Sequence, residues 1–457
     1  MIHNSLFIRT LVLALSLTTT ICAEEPTQAD SSQPQVTVYA KKIFKIPMAM
    51  AKLIKKDGNK TEDDTAFSLR SILRQDLDFT NYFKWIPPEA FLEDPNSQEK
   101  INFKVWQSLQ SSYLISGNYE EVEKNKITVT LFLHNIKKEI LAATLSKTAL
   151  YSQKRQLMHF LANELLQKIA DEKGIFLTKI AFISDRSGHK ELYMMDYDGE
   201  NIEKLTNLRN IVLLPSWSPD GTKILYSSYK THEENLQNLD LFSLDLKTKK
   251  TTLISNRKGL NMGATFSPDG RSIAATLSFN SGKPHIYLMN EDGSRAKLLI
   301  QSYENDFSPA YSPDGSKLLF VSTRKGNPHL FIQNLSTLKS EPRRLTFAGH
   351  YNAAPKWSPA ANKIVFAGEL DGHFDLFDID PNGFVINRLT KILDKGDNEH
   401  PSWSPNGRHI AFYSTRERKS NIYIITADGS LEKKITDNFG NCSTPTWSSV
   451  NFNPAFD

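Results

Sequence analysis

The chain has almost no cysteine: two in 457 residues, Cys22 and Cys442, so no disulfide framework can hold it. It has little charge of either sign to spare. Its 55 basic and 51 acidic residues leave +4, spread along the chain and not gathered into blocks, which argues against nucleic acid as a partner. Long apolar runs are missing too, since nothing approaches the roughly 18–20 residues needed to span a bilayer. No Gly-x-Ser-x-Gly elbow occurs, which removes the nucleophile that a propeller-bearing peptidase would need.

What is present begins with a short export signature. Arg9 precedes the apolar run 11–21, and Ala23 supplies a small residue for cleavage. Residues 1–23 are expected to be a signal peptide, so the mature chain keeps only Cys442. Lipidation of Cys22 is the alternative, with Ile21 bulkier than the residue such sites carry. A polar, proline-containing lead (EEPTQADSSQPQ, 24–35) follows and reads as flexible.

Residues 36–174 mix periodicities. VTVY near 37–39 and IPMAMAKL (46–53) suggest strands. The stretch 63–77 sets Phe67, Leu69, Ile72, Leu73 and Leu77 at near-helical spacing. Segments 113–123, 126–135 and 140–151 read as successive antiparallel strands. Residues 152–174 carry Leu157, Leu161, Leu165 and Ile169 on one stripe, which predicts a helix from a Ser152 cap to Gly174. A small α/β (α+β) domain is expected, with His159 a structural residue at its border.

From about residue 175 an internal repeat dominates: WSPDG (217–221), FSPDG (266–270), YSPDG (311–315), WSPAAN (357–362), WSPNG (403–407) and WSS (447–449). Successive aromatics lie 49, 45, 46, 46 and 44 residues apart, the period of a four-stranded propeller blade. Pro-Asp-Gly closes a tight corner and an apolar strand follows it. Residues 178–206 lack a first strand and 443–448 supply one. The expectation is an all-β six-bladed β-propeller over 175–450, closed by the C-terminal strand and followed by a tail at 451–457. The repeated aromatics Trp217, Phe266, Tyr311, Trp357, Trp403 and Trp447 read as blade packing.

The repeat pattern in this number and order, with IPMAMA (46–51), LRQDLDFTNYFKWI (73–86), WQSLQSSYLISGNY (106–119) and RQLMHFLANELLQKI (155–169), resembles the TolB family, periplasmic components of the Tol-Pal system. The resemblance covers nearly all of residues 36–450. It implies a non-enzymatic periplasmic protein that binds the lipoprotein Pal through the propeller and TolA through its N-terminal region. It also implies a role in outer-membrane integrity and constriction during cell division. No cofactor or metal follows from it, contact with the membrane is through partners only, and further outer-membrane partners are left open. The fourth repeat departs from the pattern by lacking Asp-Gly.

The segments before each repeat aromatic converge on one mouth of a propeller channel. They carry Leu260, Met262, Phe307 and Tyr351 amid Asn305, His350, Asp397, Glu399 and His400, the make-up of an interface with a polar rim and the expected Pal site. A metal-dependent lyase built on Asp397, Glu399, His400 and His350 is the rival reading, but their spacing matches no ligand motif. Phe307 and Met262 could instead plug the channel.

Overall fold

The computed structural model describes residues 45–457 except 58–60, 97–99, 124, 232–236, 280–281, 301, 339, 393–394, 455 and 457. The expected signal, the polar lead and VTVY lie outside the described residues. Among those described, no helix is long and apolar enough to cross a membrane.

The amino-terminal region is a five-stranded sheet under helices. Strand β1 (Ile46–Lys55) is joined to β2 (Phe83–Trp85) by helix α1 (Asp64–Phe79), and the short α2 (Phe103–Ser108) precedes β3 (Tyr113–Glu123). Strands β4 (Lys126–Asn135) and β5 (Ile140–Leu150) lead into α3 (Lys154–Ala170), and the sheet order is β2-β1-β3-β4-β5. β1 runs parallel to β2 and β3, as the α1 crossover requires, while β3, β4 and β5 are antiparallel.

Helix α1 starts where the Asp63 carboxylate accepts the Ala66 N–H at 2.8 Å. It buries Ala66, Leu69, Ile72, Leu73 and Leu77 in one core with Leu157, Leu161 and Leu165 of α3 and Val129 and Leu131 of β4. Phe67 lies off that stripe and is 57% exposed, because Ala66 takes the inward place beside Leu69. Helix α3 also departs from expectation. A 3₁₀ turn over Tyr151–Gln153 replaces the Ser152 cap, and Asp171 ends the helix in the left-handed region (φ 51°). Gly174 serves a different purpose. A Cβ there would sit 1.9 Å from Asn163 Oδ1, so the glycine allows the chain to pass against α3 on its way into the propeller.

Six four-stranded sheets follow. Their inner strands are Val212–Trp217, Asn261–Phe266, Asp306–Tyr311, Asn352–Trp357, Asn398–Trp403 and Cys442–Trp447. The Ser-Pro-Asp-Gly segments form the corners that end the inner strands. At the first, the Gly221 N–H donates to Ser218 O at 3.0 Å with φ +72°, and Ser218 Oγ donates to Asp220. In the fourth, which lacks Asp-Gly, the Ala361 N–H donates to Ser358 Oγ at 3.0 Å and holds the corner.

The last inner strand belongs to the first blade. Cys442–Trp447 pairs antiparallel with Lys179–Ser184, and Trp447 Nε1 donates to Thr178 Oγ1 at 2.8 Å. The tail continues the seam, with Asn451 Nδ2 donating to Gly174 O at 2.9 Å and the Phe452 ring 5.6 Å from Trp217.

The sheet-and-helix region docks on the corner side of the propeller. His409 stacks on Phe79 at 4.2 Å and its Nε2 lies 2.9 Å from Phe79 O, while Arg408 pairs with Glu172 at 2.8 Å. Asp76, fully buried on α1, is held by the Tyr197 hydroxyl and by His159 Nδ1 at 2.8 Å. Burial pushes the Asp76 carboxyl above its ordinary value. Burial disfavours charge on His159 too, but Asp76 more than offsets this and raises its imidazole.

Deleting residues 442–457 strips the inner strand from the first blade and leaves Lys179–Ser184 with an open edge. The truncated protein should lose its cooperative thermal transition or aggregate in scanning calorimetry. An unchanged melting temperature would contradict the role given to this strand.

Candidate functional site: the channel and loop face of the propeller

Each inner strand crosses the disc from a loop at its first residue to a corner at its last, about 17 Å for six residues at ordinary strand rise. The corner of the sixth blade carries Asn406, Arg408 and His409, which touch the amino-terminal region. The loops that begin the strands therefore open on the face opposite these contacts. Buried amides tie the blades together there. Asn261 Nδ2 donates to Leu239 O at 2.9 Å, and Asn398 Nδ2 donates to Asp375 Oδ1 at 3.0 Å. In the fourth blade Asp306 takes the corresponding place, accepting from Arg324 and Ser302. Burial alone would raise its carboxyl, but His285, Ser302 and Arg324 beside it outweigh that and hold it below the ordinary value.

Between these ends every inner strand bulges. The ladder slips at 213/216, 262/265, 307/310, 353/356, 399/402 and 443/446, so two residues face one on the neighbouring strand. The first of the two is left-handed in every blade: Leu214 (φ 50°), Gly263 (58°), Ser308 (53°), Ala354 (48°), His400 (50°) and Thr444 (46°). In five blades the second is proline, which carries no N–H that the slipped ladder would have to satisfy. Left-handed geometry at a leucine or a β-branched threonine costs on the order of 1 kcal/mol or more and survives only where its surroundings dictate it.

These six residues and their neighbours line a narrow central cavity of about 60 Å³. Its wall holds five prolines and two alanines beside Ser216, Ser308, Thr444 and Thr446, and among the described residues Lys356 and His400 are the only ionisable side chains in it. Burial, then the Lys356 charge, depresses His400 to about 4, and burial lowers Lys356 as well.

Of the residues expected at the mouth, His400 alone lines this cavity. Leu260, Met262 and Asn305 are half-buried, and Phe307 is half-buried against the fourth and fifth blade cores, so neither Met262 nor Phe307 plugs the cavity. Tyr351 is half-buried with its ring edge-on to Phe374 at 5.6 Å, and His350 is exposed. Asp397 is buried, its Oδ1 accepting the Phe374 N–H at 3.0 Å, and Glu399 accepts from the Tyr413 hydroxyl at 2.9 Å. Asp397, Glu399, His400 and His350 thus do not form a convergent ligand set.

Among the described residues, Asp76, His159 and Asp198 do bring ligand atoms within 4.8 Å of one another. Tyr197 and Arg155 already bind those carboxylates, and the group clamps the two halves of the molecule. Unanticipated from sequence are Lys356, the left-handed ring, and the exposed apolar side chains of the loop face. These last are Leu208, Ile211, Tyr303 (94% exposed), Phe347 (68%) and Leu370.

Fold and site define a two-domain propeller protein: a closed six-bladed ring whose corner side carries the sheet-and-helix region. Residues 166–451 match the TolB beta propeller domain and residues 34–140 the TolB amino-terminal domain. A TolB homolog of Chlorobium luteolum is 31% identical over 384 residues, covering 83% of this chain and 84% of the relative. The Tol-Pal system protein TolB of Francisella tularensis subsp. mediasiatica is 31% identical over 366 residues, 76% and 81% of the two chains. The crystal structure of TolB from Acinetobacter baumannii superposes with a TM-score of 0.74 at 24% identity, covering 89% of this chain and 97% of that one. The chain belongs to the TolB family, and it is not an enzyme.

His400 makes the channel sensitive to acid. Its folded-state value near 4 lies below the 6.5 of a free imidazole. As pH falls through that window the unfolded chain takes up the proton first, and the folded state loses stability. His400→Asn keeps a side chain that tolerates left-handed backbone. Urea unfolding at pH 7, 5 and 4 should show the variant losing less stability on acidification than the parent, by on the order of 2 kcal/mol. Parallel losses would refute the assignment.

Proposed function

We propose that this chain is the TolB component of a Tol-Pal system in the periplasm, binding Pal on the loop face of the propeller and TolA through its N-terminal region. In that role it acts in outer-membrane integrity and constriction during cell division. The observation that carries the Pal assignment is the loop face itself. Leu208, Ile211, Tyr303, Phe347 and Leu370 are exposed there, on the side of the disc away from the amino-terminal region. Exposed aromatic and aliphatic side chains on one face have the composition of a partner-binding surface, and two large rings can act as its anchors. His350 and the half-buried Leu260 and Tyr351 belong to the same loops and extend the patch inward.

The TolA assignment rests on the family relationship and on residues 24–45, of which 24–44 lie outside the described residues. Strand β1 begins immediately after that segment. A peptide there could engage TolA by adding a strand to a sheet edge.

Two measurements test this reading. Tyr303→Ala with Phe347→Ala should weaken binding to soluble Pal by roughly 1–3 kcal/mol in calorimetry while leaving the melting temperature unchanged. Wild-type affinity in the double variant would remove the loop-face assignment. Deletion of residues 24–45 should abolish TolA binding in a pull-down and spare Pal binding; TolA capture by the shortened chain would move its site elsewhere.

A further inference from the structure

Three features of the channel fit together. Among the described residues of its wall Lys356 is the only side chain charged at neutral pH, and none is a carboxylate. Among those residues, too, the Lys356 ammonium enters no ion pair, and beyond its strand ladder the backbone carbonyl accepts from Trp403 Nε1. Thr444, 5% exposed and on the cavity wall, has a buried Oγ1 with no hydrogen-bond partner. A buried hydroxyl left unpaired destabilises the fold, and a half-buried ammonium without a counter-charge does so further. One ligand could relieve both. Leu214, Ala264, Ala354 and the prolines form the apolar part of the wall, and about 60 Å³ has room for a few waters or one small organic group.

We propose that the propeller channel is a binding site for a carboxylate, with one oxygen on Lys356 Nζ, the other accepting a hydrogen bond from the Thr444 hydroxyl, and the carbon stem against the prolines and alanines. Ammonium and hydroxyl are both donors, which suits an acceptor-only group. The two ends of the ligand match the two characters of the wall. The carboxylate has two sources: a free organic anion, or an Asp, Glu or chain terminus of the partner proposed for the loop face. The inner strands run from the loops of that face to the cavity wall, and only the second source rests on the Pal reading.

Sodium acetate is the probe, titrated into the full mature protein against sodium chloride at equal ionic strength, with the Thr444 methyl and His400 ring resonances followed by NMR. Saturable shifts are expected, weakened at least tenfold in Lys356→Met. Thr444→Val, which removes only the hydroxyl, gives a second variant should Lys356→Met fail to fold, and should weaken acetate severalfold. Absence of a saturable shift in the parent, or parental affinity in both variants, overturns the site whatever Pal does. Competition between acetate and soluble Pal, lost in Lys356→Met, identifies the carboxylate as the partner's. Pal affinity indifferent to acetate identifies it as a free anion. Weak Pal binding in the Tyr303→Ala, Phe347→Ala protein with acetate binding intact separates the two readings.

Discussion

The architecture depends on one antiparallel seam, the pairing of Cys442–Trp447 with Lys179–Ser184. A propeller has no other way to remove its last free edge, because each of the other five sheets is complete within a continuous stretch of chain. The seam is also reinforced more heavily than an ordinary ladder. Ser448 Oγ accepts the Lys179 N–H at 2.9 Å, Asn441 donates to Asp185, and Trp217 Nε1 of the next blade donates to Thr446 O at 2.9 Å. Side-chain bonds of this kind, separated by more than two hundred residues, contribute nothing until the whole chain is present.

That closure places the amino-terminal region. The strand that closes the ring is paired with the strand that emerges from the linker after α3, so seam and domain junction share residues: Thr178, Gly174 and Asn451. The helices then rest on the adjacent corners through Phe79, Asp76 and Glu172. A buried polar network of this sort adds little net energy over an apolar contact but accepts only one relative placement of its parts. Docking on the corners leaves the loop side as the broad face open to a macromolecule.

Blade number, corners and seam are legible in the sequence because they repeat: the aromatic-Ser-Pro-Asp-Gly period is long-range information written locally, and the two half-repeats at the ends complement each other. The channel is not legible, for the converse reason. Strand alternation assigns residues to faces only while the period stays at two, and each inner strand inserts a bulge that resets it. Lys356 and Thr444 therefore turn to the cavity, whereas Phe307, for all its bulk, turns toward the blade core. Tyr303 and Phe347 carry no signal because they precede the strands by a few residues, where nothing periodic marks them. Gly174 has the look of a helix stop in the sequence, but α3 ends before it, and what the glycine supplies is clearance for Asn163.

Leucine, glycine, serine, alanine, histidine and threonine all occupy the same left-handed position in the six blades. Besides the glycine, which adopts it freely, five unlike side chains accept this unfavourable backbone state because bulge and neighbouring residue impose it, whatever is attached at Cβ. The lining of the channel is thereby uncoupled from the rules that build its walls. Propeller and pore can diverge at separate rates, and a lineage can exchange the chemistry of the bore, cationic here, by single substitutions that leave the blades untouched.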